Sequence, residues 1–223
     1  MKTGKATPAS DLPELPPEAF AKHDASPDPL FYAAPRFVTH IDDAAVAAVR
    51  ALYREVLPPS GTVLDLMSSW VSHLPDETAY AAVIGHGLNA QELAANPRLT
   101  ASFVQDLNAD PTLPLETASI DAATICVSVQ YLQDPVAVLR EVSRVLRPGA
   151  PVIITFSNRC FPTKAVAIWS ALVGEDHARL IGLYLQHAGF AELESLVLLP
   201  EGGPSDPLRA VIGRTAVSSA SPQ

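Results

Sequence analysis

The groups able to do chemistry in this chain gather just after short apolar runs. Asp65 lies in Val63-Leu64-Asp65-Leu66 and is followed by Met67-Ser68-Ser69-Trp70-Val71-Ser72-His73, a loop rich in hydroxyls and without glycine. Asp106 follows another run, in Gln105-Asp106-Leu107-Asn108, and Ser128-Val129-Gln130-Tyr131 closes a third that begins at Ala122. If the reaction needs a general base, His73, Tyr131 and His40 are the candidates. Arg36, Arg159 and Lys164 are cations that an anionic substrate, such as a carboxylate, would pair with. Gln130 and Tyr131 are the further candidates for substrate contact. The six histidines (His23, His40, His73, His86, His177 and His187) form no pair at ligand spacing backed by cysteine or carboxylate, so no metal is expected. Neither a Gly-x-Ser-x-Gly elbow nor a phosphate-binding Walker loop occurs.

The elements that must position these groups follow from periodicity and punctuation. Asp42 or Asp43 can cap a helix running to about Leu57, with Val46, Val49, Tyr53, Val56 and Leu57 on one face. Strands are expected at 62–66, 81–84, 102–105, 122–129 and 151–156. A short helical turn is expected over 69–74. Asn89 and Glu92 form a capping box for a short helix ending near Asn96-Pro97. Asp134 and Pro135 suit the start of a helix that Arg147-Pro148-Gly149 stops. Helices at about 163–172 and 176–188 precede two last strands, 193–199 and 208–215. Strands alternating with helices imply a parallel sheet covered on both faces, and the short link between the last two permits an antiparallel hairpin at one edge.

The 223 residues fit one domain with a sizeable core. Residues 1–30 are rich in proline and alanine and read as a flexible arm, partly disordered or laid over the domain; the domain proper spans 31–216 and a polar tail 217–223. Within it, Tyr32 to Asp42 could fold over the site as a lid. Hydrophobic residues at 48% and charged residues at 17% describe a globular protein. A net charge of −9 argues against a nonspecific grip on nucleic acid or anionic membrane. Two cysteines make no disulfide framework. Lys2 and Lys5 precede no apolar stretch, and no run is long enough to span a membrane, so a cytoplasmic location is expected. The oligomeric state is not legible.

Residues 115–157 carry the most specific pattern: Leu115 to Asp121, an apolar run to Val129, Gln130 to Pro135, the helix 136–146, its sharp stop, and the run 151–156. This order resembles the fourth and fifth strands of class I S-adenosylmethionine (SAM)-dependent methyltransferases of the ubiquinone-methyltransferase-like kind, and the likeness covers about 61–215. The chain is similar to an atypical subgroup in which Ser-Ser-Trp-Val-Ser-His replaces the glycine-rich loop. The resemblance implies a Rossmann-like three-layer αβα sandwich, α/β in class. Its sheet would have seven strands, mostly parallel with an antiparallel edge strand, in order 3-2-1-4-5-7-6. It also implies SAM as cofactor and methyl transfer to a small molecule. The cofactor contacts it implies are Asp65, Met67, Ser68, Ser69, Gly87, Leu88, Asn89, Asp106, Leu107 and Ser128, with Asp106 near the adenine amino group. Gly87 falls where relatives carry the acid that holds the ribose, so Gly87→Asp is expected to tighten SAM binding if the ribose sits in the usual place.

Two other readings stay open. The lost glycines and ribose acid suit a protein of this fold that binds a ligand or partner without transferring a methyl group. Gly85-His86-Gly87-Leu88-Asn89-Ala90 also matches the dinucleotide fingerprint, with Asp106 about 20 residues on, which would suit an NAD-dependent oxidoreductase.

Overall fold

The computed structural model describes residues 12–217. Its seven strands are β1 Thr62–Leu66, β2 Ala82–Gly87, β3 Ala101–Val104, β4 Ala122–Cys126, β5 Pro151–Ser157, β6 Ala191–Leu199 and β7 Leu208–Arg214. They form one sheet in the order β3-β2-β1-β4-β5-β7-β6. β1 to β5 pair in parallel, while β7 runs antiparallel to both β5 and β6, so the expected antiparallel edge is the terminal hairpin. The strand order reverses between β1 and β4, and at that switch point the loops after the strands diverge and leave a crevice.

Side chains alternate across the central strands because the strand period is two. On one face, Leu64, Leu66, Ala123, Ile125, Val152 and Ile154 pack against helices α4 (Pro135–Val145) and α6 (Glu175–His187). On the other, Val83, Ala122, Ile153, Ala210 and Ile212 meet Val49, Leu52 and Tyr53 of α2 (Asp43–Val56). The caps fall where the side-chain chemistry places them: Asp42 accepts from Ala45 N, and Asp134 from Ala137 N ahead of Pro135. Gly149 then takes a φ of 78°, ending the α4 connection with a turn that side chains resist.

Three expectations are revised. Residues 69–74 form no helical turn but an irregular loop with His73 at a φ of 52°, in which Ser69 donates to Glu92 and Ser72 accepts from Asn96. Only Ala167–Ala171 (α5) is helical in 163–172, because Val166 is drawn out into a bridge with Lys22. Strand β2 runs on to Gly87, since each residue from 84 to 87 finds a partner in β3.

Part of the N-terminal arm is described. Residues 1–11, and 218–223 of the tail, lie outside the described residues. From Leu12 onward the chain is packed on the domain, with Leu12 and Phe20 in the core. Lys22 pairs with Asp28, and Lys164, fully buried, reaches Asp24 (3.1 Å), Asp28 (3.4 Å) and the Ser26 carbonyl (2.7 Å). Asn108 donates to Asp28 at 2.9 Å. A proline-rich stretch is thus held by Leu12, Phe20 and their neighbours in the core and by a buried ionic cluster, whose members come from segments about 140 residues apart. Removing Asp28 leaves Lys22 buried without a counter-charge, so Asp28→Ala should cost about 3–5 kcal/mol. Urea unfolding of the two proteins checks this; an unchanged midpoint would mean that the cluster does not hold the segment.

Candidate functional site

A cavity of about 280 Å³ opens at the carboxyl ends of β1, β2, β3 and β4, near the lower end of the roughly 300–1,000 Å³ usual for small-molecule sites. Its floor comes from the strand ends and its roof from Asp28, Tyr32, Arg36, Val38, Thr39 and His40. The expected lid segment therefore lies over the mouth.

The loop after β1 is the most heavily anchored part of the wall. His86, buried in β2, accepts from Met67 N through Nδ1 (3.1 Å), while its Nε2 lies 2.9 Å from the Gln105 carbonyl. These partners fix the neutral Nε2–H tautomer, and burial pushes the group down to about 4. Ser68 N donates to the His86 carbonyl at 2.6 Å. Asn96 donates to the Ser69 carbonyl and to Ser72 Oγ, both at 2.9 Å. With these tethers Met67 adopts a φ of 57° without being glycine, in a region that costs an ordinary residue about 1–2 kcal/mol. Val127, after β4, is likewise at 43°.

Asp65 is buried, accepting from Ser68 Oγ (2.5 Å) and Thr124 Oγ1 (3.0 Å). Burial raises it to about 6 against the opposing hydrogen bonds of Ser68, Ser72 and Thr124. Ser69 Oγ donates to Glu92 at 2.6 Å. The hydroxyls of Ser68 and Ser69 are thus committed as donors to acids of the protein itself. Glu92 also accepts from Arg36 N (2.6 Å) instead of closing a capping box back onto Asn89. The Asn89 side chain accepts from Gln91 N and Glu92 N and donates to the carbonyls of Tyr32 and Ala33. Asp106 spends one oxygen on a turn with Asn108 N (3.0 Å) and lines the cavity, as do Met67, Gly87, Leu88, Leu107 and Ser128. Trp70 does not; it turns outward and donates to the Val38 carbonyl at 3.1 Å.

Gly87 is small for a reason other than ligand access. A Cβ there would lie 2.5 Å from the Ser68 carbonyl oxygen and 3.3 Å from Leu93. The β1 loop has settled over the end of β2, so the expected gain from Gly87→Asp is withdrawn on steric grounds. The dinucleotide fingerprint also fails here. Gly85 and Gly87 are paired strand residues, not a phosphate-cradling turn, and β2 does not border the switch point.

The proton-transfer candidates differ in state. Tyr131 accepts from Phe161 N (2.9 Å), and burial raises its phenol to about 12, so it stays protonated near neutrality. His73 is pushed by burial, and by Arg50 and His40, down to about 4; His40 is lowered by burial too. Both imidazoles are therefore neutral and line the cavity with Tyr131. Of the substrate candidates, Arg36 and Arg159 are in the wall, Arg159 being paired with Asp206 at 2.8 Å. Gln130 is not in the wall; it is buried with its amide on the Val127 carbonyl. Lys164 is consumed by the ionic cluster. Three wall residues, Arg36, His73 and Ser128, each keep a buried polar atom without a hydrogen-bond partner, an arrangement that calls for a ligand. Sequence reading missed Asp28 and Glu92: one sits in apparent linker, the other in a helix-start pattern that explains an acid by itself. No group of three or more His, Cys, Asp or Glu among the described residues could hold a metal, and no helix among them is long and apolar enough to cross a membrane.

Two outcomes follow from this geometry. Gly87→Ala should destabilise the fold by about 1–3 kcal/mol through overpacking, read from urea midpoints; a neutral result would mean that the loop yields without cost. The second concerns pH. As pH falls from about 6.5 towards 4, the unfolded chain protonates His73 and His86, whose folded values are depressed to about 4, and stability is lost. Folded Asp65, raised to about 6, takes up a proton before its unfolded counterpart at 3.8, which offsets one histidine. Two protons less one leaves a loss of about 1.4 kcal/mol per pH unit from these groups. His73→Gln should remove most of that slope and Asp65→Asn should steepen it, as unfolding free energies at pH 7, 6 and 5 would report.

Comparison with known proteins gives a consistent picture. Residues 67–154 match the family model described as "Methyltransferase domain". No curated protein sequence matches. A SAM-dependent methyltransferase from Aquifex aeolicus is similar in structure, with TM-score 0.56 and 16% identity over 78% of this chain and 92% of that one. Phosphoethanolamine N-methyltransferase 2 of Haemonchus contortus, in complex with S-adenosyl-L-methionine, gives 0.56 and 14% over 76% of this chain and 52% of that one. The [4+2]-cyclase SpnF gives 0.55 and 16% over 76% and 81%. The chain thus has the Rossmann-like fold of the SAM-dependent methyltransferases and, over residues 67–154, the sequence pattern of a methyltransferase domain.

Proposed function

We propose that this chain is a SAM-dependent methyltransferase acting on a small molecule. The observation that carries the reading is a coincidence of place. The cavity lies where the strand order reverses, and the methyltransferase pattern spans the loops that line it there. In this reading the cofactor lies along the loop after β1. Asp106 meets the adenine amino group with its remaining carboxylate capacity, Leu88 and Leu107 flank the ring, and Ser128 serves the methionine half. The bound cofactor supplies a methyl group already activated on sulfur. The chain's own work is to align the acceptor with that methyl and to exclude water, the latter being the role this reading gives to the Tyr32 to His40 roof. For an oxygen acceptor, neutral His40 or His73 takes the proton; Tyr131 stays protonated and positions. With no acid at Gly87 and the hydroxyls of Ser68 and Ser69 engaged, the ribose depends on backbone groups of the loop.

The engaged hydroxyls of Ser68 and Ser69 favour a second reading, a ligand-binding protein of this fold that transfers no methyl group. Calorimetric titration with SAM, S-adenosylhomocysteine and NAD tests the cofactor that the first reading requires. SAM and S-adenosylhomocysteine should bind and NAD should not. Asp106→Ala should weaken SAM by about 1.5–3 kcal/mol, the range for a lost hydrogen bond to a charged group. Wild-type protein that binds neither SAM nor S-adenosylhomocysteine would end the methyltransferase reading.

A further inference from the structure

We propose that the methyl acceptor is a small, flat organic carboxylate whose anionic end is held by Arg36; this rests on the methyltransferase reading above. Arg36 reaches the cavity wall from the roof segment. Its Nη2 donates to the Phe31 carbonyl at 2.9 Å, and its buried Nη1 has no hydrogen-bond partner. Among the described residues no carboxylate pairs with its guanidinium. This is not for want of acids, since the chain has 24 against 15 lysines and arginines. Glu92 is close, but its oxygens go to Ser69 Oγ and to the Arg36 backbone N–H. Nearby cations are satisfied: Lys22 and Lys164 by Asp28 and Asp24, Arg159 by Asp206. Arg36 is thus the wall cation left for a ligand, and a guanidinium is shaped to grip a carboxylate.

The surroundings narrow the class further. The Arg36 guanidinium carbon lies 4.6 Å from the Phe31 ring centre, 5.5 Å from Phe161 and 5.6 Å from Tyr32. Phe161 in turn lies 6.0 Å from Tyr131 and 5.4 Å from His40, ring centre to ring centre. This aromatic corner suits a flat apolar body, at separations where rings favour edge and offset contacts. Asp28, Asp65, Glu92 and Asp106 share the cavity, so one guanidinium matches a single negative charge better than a phosphate dianion.

The test uses the full-length protein saturated with S-adenosylhomocysteine and titrated with benzoate, benzamide and phenyl phosphate, alongside SAM and decarboxylated SAM on the protein alone. Wild type should bind benzoate in preference to the other two. Arg36→Gln should weaken benzoate by roughly ten- to a hundredfold, with Arg36→Lys between, while SAM affinity changes less than about twofold, the scale of a contact not made. Retained benzoate binding in Arg36→Gln, or no benzoate binding to wild type, overturns the proposal. So does a loss of SAM affinity in Arg36→Gln that spares decarboxylated SAM, because the carboxylate would then be the cofactor's own. Failure of wild type to bind SAM and S-adenosylhomocysteine instead ends the methyltransferase reading itself. Arg36→Lys, with charge and stem kept, and the circular dichroism of each variant separate lost binding from lost folding.

Discussion

The site is organised around one close approach: the Ser68 carbonyl resting on the end of β2 at Gly87, where even a methyl group would be 2.5 Å from the oxygen. Everything in the adjoining wall is arranged to keep the loop there. His86 supplies a ring acceptor and a backbone acceptor from within β2, Asn96 two donors from beyond α3 (Ala90–Ala95), and Glu92 a carboxylate from inside it. Absence of glycine in the loop and presence of glycine in the strand are thus one feature. A loop of ordinary residues can hold a positive φ at Met67 only if tertiary hydrogen bonds pay the strain, and those bonds require the strand end beneath it to be bare.

The same tethering spends the polar groups that would otherwise meet a ligand. Ser68 and Ser69 donate to Asp65 and Glu92, and Asn89 caps α3 while holding the roof. What remains unsatisfied in the wall is Arg36 in the roof, His73 at the far end of the β1 loop and Ser128 after β4. The roof itself depends on the ionic cluster of Lys22, Asp24, Asp28 and Lys164. The cluster adds to the core packing of Leu12 and Phe20, and Asp28 belongs to both the cluster and the cavity wall. Order in the N-terminal segment and shape of the site are therefore coupled.

The element order was legible in the sequence because its determinants are local. Period-two apolar runs, Asp42 and Asp134 before their helices, and Arg147-Pro148-Gly149 after one are short-range signals, and β1 and α2 fall almost where those signals place them. The sheet order followed from likeness to a known arrangement. Local patterns also misled. Asn89 and Glu92 have the form of a capping box, yet Glu92 turns to Ser69 and Arg36; Lys164 has the form of a cation for an anionic substrate, yet it is fully buried against Asp24 and Asp28; Gly85 to Gly87 have the form of a nucleotide turn and are strand.

By itself, then, the sequence determined the order of strands and main helices, and that Asp65, Asp106 and Ser128 stand at or near strand ends. Backbone propensity, capping and hydrophobic period act within a few residues and survive without knowledge of the fold. Only the tertiary structure decided which polar groups stay available to a ligand. A hydroxyl, amide or ammonium is taken or left according to what comes within about 3 Å of it, and here its partners lie tens to more than a hundred residues away, as Asn96 does from Ser72 and Lys164 from Ser26.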